Sequence, residues 1–168
     1  MKFNSEQPKI LVVGSSSIDL VLNTEKYPQA NETVMAVRSE TFFGGKGANQ
    51  AVGTARLGAN TMFIGCVGMD PYGQQILRNL VDQNVNVGFV HEDIDVATGT
   101  AYVTASGGKN AIVVVPSANH RLQPEHLENP DKFFSTVDLV LVQLEIPMNV
   151  VEAVYEKCKK YGTKLGIY

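Results

Sequence analysis

The sequence predicts an α/β fold: a mostly parallel sheet with helices on both faces, plus a small β-sheet lid. Three observations predict it. Ile10-Leu11-Val12-Val13 and Leu139-Val140-Leu141-Val142 are continuous apolar runs, which suit strands buried on both faces. Apolar residues at helical spacing lie between such runs, as crossovers between parallel strands require. Two stretches, about 20–43 and 98–115, instead carry short strands and turn residues, and these form the lid.

The elements follow in order. The first run ends at Gly14, where three serines and then Asp19 put polar side chains at a strand end. Residues 20–22, 33–37 and 41–43 read as short strands, with Tyr27-Pro28 and Ala30-Asn31 supplying a turn between the first two. From Gly47 the period changes: Ala48, Ala51, Val52 and Ala55 form a helical stripe of small residues that stops at Gly58. Residues 61–67 read as one buried strand. Tyr72, Ile76, Leu77, Leu80 and Val81 mark a second helix, opening at Pro71 with Asp70 as its N-cap. Residues 106–110, Ser-Gly-Gly-Lys-Asn, join two β-rich segments as a hairpin. A short helix after Pro124, a strand at 139–142 and a helix carrying Val150, Val151, Val154 and Cys158 complete the pattern. Residues 164–168 look like a strand only begun, so the sheet is expected to be cut off and its C-terminal half absent.

Composition bounds the function. The 168 residues suffice for one domain with a sizeable core. Fourteen basic against seventeen acidic residues leave a net charge of −3, which does not build the electrostatic footprint of nucleic-acid binding. No apolar run reaches the roughly 18 residues of a membrane span, and Met1 to Pro8 contain no signal-like apolar core. Cys66 and Cys158 make no ligand-spaced pair. The expectation is a cytoplasmic protein acting on a small molecule, with the nucleus possible in a eukaryote.

The most informative segment is Phe43-Gly44-Gly45-Lys46-Gly47-Ala48-Asn49-Gln50, a glycine-rich turn on a helix N-terminus, where free N–H groups and a positive dipole end accumulate. It is not a Walker A loop, because Gly47 follows Lys46 where Ser or Thr is needed. It is not a dinucleotide fingerprint, because Gln50 takes the place of the third glycine. What remains is a turn against which a ligand can lie, with the donor-and-acceptor amide of Asn49 one turn inside.

Residues 44–68 resemble the first signature of the ribokinase-like carbohydrate kinases (the PfkB type). The Gly-Gly-Lys-Gly-Ala-Asn-Gln run is followed by Gly58 and Gly68 at the family's spacing. Gly14-Ser15 with Asp19 beyond, Thr98-Gly99-Thr100-Ala101, Ser117-Ala118-Asn119 and Gln143-Leu144-Glu145 come in the family's order. Within the family, the glycine run and Gln-Leu-Glu look like the ribokinase branch rather than fructokinase or adenosine kinase. The resemblance implies a three-layer sandwich with residues 1–168 as the N-terminal part of one kinase domain. It implies ATP-dependent phosphorylation of D-ribose at the 5-hydroxyl, with Mg2+ on the nucleotide and K+ as activator. It also implies a sugar site comprising Ser17, Asp19, Gly44, Gly45, Lys46, Gly47, Asn49 and Glu145, and a homodimer formed through the lid strands. An ionised carboxylate such as Asp19 accepts two charge-assisted bonds from adjacent hydroxyls. Ser17 departs from the asparagine usual in bacterial relatives, which puts one sugar contact in question.

No catalytic residue of the family falls in this chain: its aspartate base lies in a Gly-Ala-Gly-Asp signature, a run missing from these 168 residues. Losing a general base typically costs on the order of 10²–10⁴ in rate, so the chain alone is expected to be inactive. Two alternatives stand beside this reading. One is a kinase of the same family for another sugar or a nucleoside. The other is a non-catalytic sugar-binding or dimerising module. His91, His120 and His126 read as isolated surface or loop residues without metal-ligand pairing. Cys66 and Cys158 read as small core residues, and no metal site is expected.

Overall fold

The structure, a computed structural model, describes residues 7–128 and 131–168; the N-terminal stretch 1–6 read above lies outside them. In chain order the elements are β1 (Lys9–Val13), β2 (Ser17–Thr24), β3 (Ala36–Gly44), α1 (Lys46–Arg56), β4 (Asn60–Ile64), β5 (Cys66–Gly68), α2 (Pro71–Asp82), β6 (Val85–Asn86), β7 (His91–Asp93), β8 (Thr100–Ser106), β9 (Lys109–Val115), β10 (Leu139–Val142), α3 (Met148–Tyr161) and β11 (Lys164–Ile167). Three short 3-10 segments, Ser117–Arg121, Pro124–Leu127 and Asp131–Ser135, lie between β9 and β10.

Five strands form one parallel sheet in the order β11-β10-β1-β4-β6. Both its faces are covered, which is why β1 and β10 are apolar without alternation. Leu11, Val13, Ile64, Val140 and Val142 pack with Val150, Val151 and Val154 of α3 on one face. Val12 and Phe63 pack with Ala48 and Ala51 of α1 and Ile76 and Leu80 of α2 on the other. Each Val, Leu, Ile or Phe among them contributes about 1.5–3 kcal/mol by leaving water, and each Ala less. The expected layering of helix, sheet and helix is therefore present.

The lid is a second sheet, β3-β2-β8-β9, in which β2 and β8 run parallel and the outer pairs antiparallel. Ile18 anchors one face in the core. Leu20 also packs there, and the outermost strand is the one left clear: every residue of β9 is exposed, including Ile112, Val113, Val114 and Val115.

Four expectations need correction. Residues 33–37 and 41–43 are not separate strands; β3 is one strand from Ala36 to Gly44, while 33–35 lie outside it. Arg38 and Glu40 pair with each other on it at 2.9 Å, so charge in mid-strand is accommodated at an open sheet edge. The apolar run 61–67 is two strands, because the chain turns at Gly65 out of the parallel sheet into a two-stranded sheet of β5 and β7. The core sheet has five strands, because the short β6 joins those expected at 10–13, 61–67, 139–142 and 164–168 by pairing with β4. Finally, His91 and His126 are not isolated. Their rings stack with centroids 4.1 Å apart, and His91 gathers with Cys66 and Asp93.

Candidate functional site

In the parallel sheet the chain leaves β1 toward β4 and β6, then returns on the other side as β10 and β11. The switch in direction therefore falls between β1 and β10. Crevices at the carboxyl ends of strands flanking such a switch are where open α/β sheets bind ligands. The loops that follow β1 and β10 carry Ser15 and Glu145. The glycine-rich turn between β3 and α1 closes over both.

Gly45 is the N-cap of α1, with φ +88° and no capping side chain. A Cβ there would strike the backbone of Ser15 and Ser16. An L-residue is thus excluded by conformation and by space. The turn sits this close because Ala48 N–H donates to the Ser15 carbonyl at 2.9 Å.

Two clusters of side chains flank the turn. In the first, the Ser17 hydroxyl donates to Oδ1 of Asp19 at 2.8 Å, and a Cβ on Gly44 would fall on the Asp19 carboxylate. Gly44 is therefore glycine so that the carboxylate can lie against bare backbone. In the second, Oε2 of Glu145 accepts from the Ser15 hydroxyl at 2.6 Å and from Lys46 N–H at 3.2 Å, while Lys46 Nζ stands 3.5 Å from Oε1. The first turn of α1 holds no acidic residue of its own. Glu145 supplies the negative charge that a helix N-terminus favours.

That arrangement also tests the turn as a phosphate cradle. Its leading N–H and its lysine already face a carboxylate, so the pattern of a free, positive helix end does not fit. The turn suits a neutral, hydroxylated ligand better than a nucleotide phosphate.

The eight residues singled out in the sequence therefore divide. Ser17, Asp19 and Gly44 meet; Lys46 and Glu145 meet; Gly45 and Gly47 carry the turn against the β1 loop, a Cβ on Gly47 striking Gly14. Asn49 lies exposed on α1. Its backbone N–H donates to Gly45 O at 3.0 Å, and its side chain makes no hydrogen bond among the described residues. The Ser17 hydroxyl is turned to Asp19 rather than standing free.

Two supports were not assigned roles from sequence, and the expected N-cap Asp70 gains a further partner in Thr98. Ser15 orients Glu145. Asn119, 5% exposed, mimics a strand toward Ser16: its Oδ1 accepts from Ser16 N–H at 2.9 Å and its Nδ2 donates to Ser16 O at 2.8 Å. Asp70 caps α2 through Gly73 N–H and receives both the N–H and the hydroxyl of Thr98, two residues before β8. Burial opposes ionisation of Asp70, but these bonds prevail and hold its carboxyl below the usual range. The signal for the first two was the run of three serines at 15–17, all of them buried.

Comparison with known proteins identifies the family and the fold. The profile described as "pfkB family carbohydrate kinase" matches residues 7–167. The chain is 42% identical over 152 residues to the ribokinase of Bacillus subtilis, covering 90% of this chain and 52% of that protein. It is 38% identical over 161 residues to the ribokinase of Lactococcus lactis, covering 94% and 52%. The solved structure of Arabidopsis thaliana ribokinase complexed with ribose and ATP superposes with a TM-score of 0.87 at 33% identity, over 96% of this chain and 53% of that one. The chain thus spans about half the length of the curated relatives it matches. Among the described residues no helix is long and apolar enough to cross a membrane.

Proposed function

The chain belongs to the pfkB family of carbohydrate kinases, and from that premise we propose that it is the sugar-binding, N-terminal part of a ribokinase domain. The parent enzyme transfers the γ-phosphoryl group of ATP to the 5-hydroxyl of D-ribose, using Mg2+ and activated by K+. One observation carries the reading: Asp19, steadied by Ser17, lies against side-chain-free Gly44 beside the sheet's switch point.

In this proposal Asp19 accepts two adjacent sugar hydroxyls, and the Gly44–Gly45 backbone is the surface on which the ring lies. Asn49 supplies an amide that donates and accepts. Lys46 and Glu145 form a fixed ion pair at the rim. Phosphoryl transfer relies on positioning and charge stabilisation. The residues of this chain position the acceptor, and the nucleotide and its metals belong to the family's other segments. The two free, buried thiols suit a reducing, cytoplasmic compartment.

The test pairs binding with turnover on the 168-residue chain. Calorimetry should show D-ribose binding that Asp19→Asn weakens at least tenfold, and an ADP-release assay with ATP, Mg2+ and K+ should stay at background. Ribose-dependent ADP release would overturn the assignment of this chain as non-catalytic. Ribose binding untouched by Asp19→Asn would overturn the site.

A second reading has one observation in its favour. The Ser17 hydroxyl is committed to Asp19, leaving a short side chain where a longer amide could reach a sugar. A different pentose or a nucleoside would then be preferred, which binding of deoxyribose, fructose and adenosine beside ribose decides. The lid's exposed apolar strands support a homodimer through that sheet, with or without catalysis.

A further inference from the structure

We propose that Cys66, His91 and Asp93 form a binding site for one zinc-class divalent ion on the β5–β7 sheet, separate from the glycine turn. The parallel register sets Cys66 opposite His91 and Gly68 opposite Asp93. Side chains two apart on a strand leave by the same face. A Cys-x-Gly strand beside a His-x-Asp strand therefore gathers a thiol, an imidazole and a carboxylate on one side. One ligand atom from each lies within 4.8 Å of the other two. Zinc bonds of about 2.0–2.3 Å in tetrahedral geometry put ligand atoms roughly 3.3–3.8 Å apart, so closure needs at most about 1–1.5 Å of side-chain movement.

The donor set and its surroundings select the ion. Thiolate with imidazole suits zinc and its neighbours, whereas magnesium demands oxygen ligands. Cys66 is 1% and Asp93 9% exposed, while His91 is only partly buried and opens the site to solvent. Ligating carboxylates and imidazoles are normally fixed by outer contacts; here hydrogen bonds hold the carboxylate and ring stacking holds the imidazole. Oδ1 of Asp93 accepts from Asp95 N–H at 2.8 Å and Val96 N–H at 3.1 Å, and Oδ2 faces Arg121 Nε at 3.2 Å. His126 stacks on the His91 ring while its Nδ1 accepts from Gln123 N–H at 3.0 Å. Binding forms the metal–sulfur bond and releases the Cys66 thiol proton to solvent. Arg121 opposes the ion by charge and by holding Oδ2, so it sets the affinity from outside the ligand set.

Titrating Co2+ into chelator-treated protein tests the site. One equivalent should bind with a thiolate-to-cobalt charge-transfer band in the near ultraviolet, and Zn2+ should displace it. Cys66→Ser should abolish the band, His91→Ala should weaken binding roughly tenfold or more, and Cys158→Ser should change neither. Arg121→Gln, on a half-exposed side chain, should tighten binding and keeps the test decisive if Cys66→Ser does not fold by circular dichroism. No thiolate band in the wild type, a band that survives Cys66→Ser, or an affinity unmoved by Arg121→Gln would overturn the proposal.

Discussion

The Ser15 hydroxyl donates to Oε2 of Glu145 at 2.6 Å, tying the carboxyl end of β1 to that of β10 across 130 positions of sequence. Lys46 completes the grip from the start of α1. Removing the hydroxyl leaves the carboxylate with one donor fewer in a part-buried place. Ser15→Ala should lower stability by about 1–2 kcal/mol in urea unfolding. Glu145→Ala should lose the same bond and the charge at the helix end, and an effect no larger than that of Ser15→Ala would show that Lys46 contributes nothing.

Gly44→Ala probes the other cluster. The added methyl group would intrude on the Asp19 carboxylate, so that side chain must swing away. Overpacking of this kind costs about 1–3 kcal/mol. Ribose affinity measured by calorimetry should fall at least tenfold, and unchanged affinity would show that the Asp19 position does not matter to the sugar.

Asn119→Ala strips Ser16 of both backbone partners inside the protein. Buried, unpaired polar groups cost about 1–3 kcal/mol each. A loss of about 2–4 kcal/mol is expected in chemical denaturation, far more than from a surface substitution.

Stability should fall at both ends of the pH scale, for different residues on or beside α3. Burial pushes the Cys158 thiol up to about 11, while its unfolded value is about 9. Above pH 9 the unfolded chain loses this proton first, so stability declines as pH rises, and Cys158→Ala should flatten that limb. Hydrogen bonds from Lys157 and Tyr161 hold the Asp131 carboxyl far below its ordinary range. Its contribution is full above the ordinary carboxylate value near 3.8 and is lost as acid protonates the folded state. Asp131→Asn should flatten the acid limb in urea titrations at successive pH values.

The lid supplies the last prediction. Val114 is 61% exposed on β9, so Val114→Lys should leave the fold within about 0.5 kcal/mol of its original stability. If the lid sheets pair between copies, light scattering should show the dimeric mass replaced by a monomeric one. A dimer that tolerates this lysine would place the contact elsewhere.

Much of this was legible because local patterns dictate it. The runs at 10–13 and 139–142 could only be strands covered on both faces, and the stripe from Ala48 to Ala55 could only be a helix. Asp19 and the glycine turn were legible as a motif. Gly65 was not, because it is one small residue inside a uniformly apolar run, yet there the chain changes sheets. β3 was split in reading because Arg38 and Glu40 interrupt its pattern, and an uncovered strand needs no pattern. The bonds Ser15–Glu145 and Ser16–Asn119 span 130 and 103 positions, and no local rule encodes such a pairing. Cys66 and His91 escaped for the same reason: only strand register makes them neighbours.

Gly45 alone separates the last residue of β3 in the lid from the first residue of α1 on the core. With a single link of slack, the two pieces share one pivot. Were the outer sheet to tilt, the head of the helix would turn about this pivot, and with it the lysine that faces Glu145. The joint is bare because a side chain there would collide with the loop after β1.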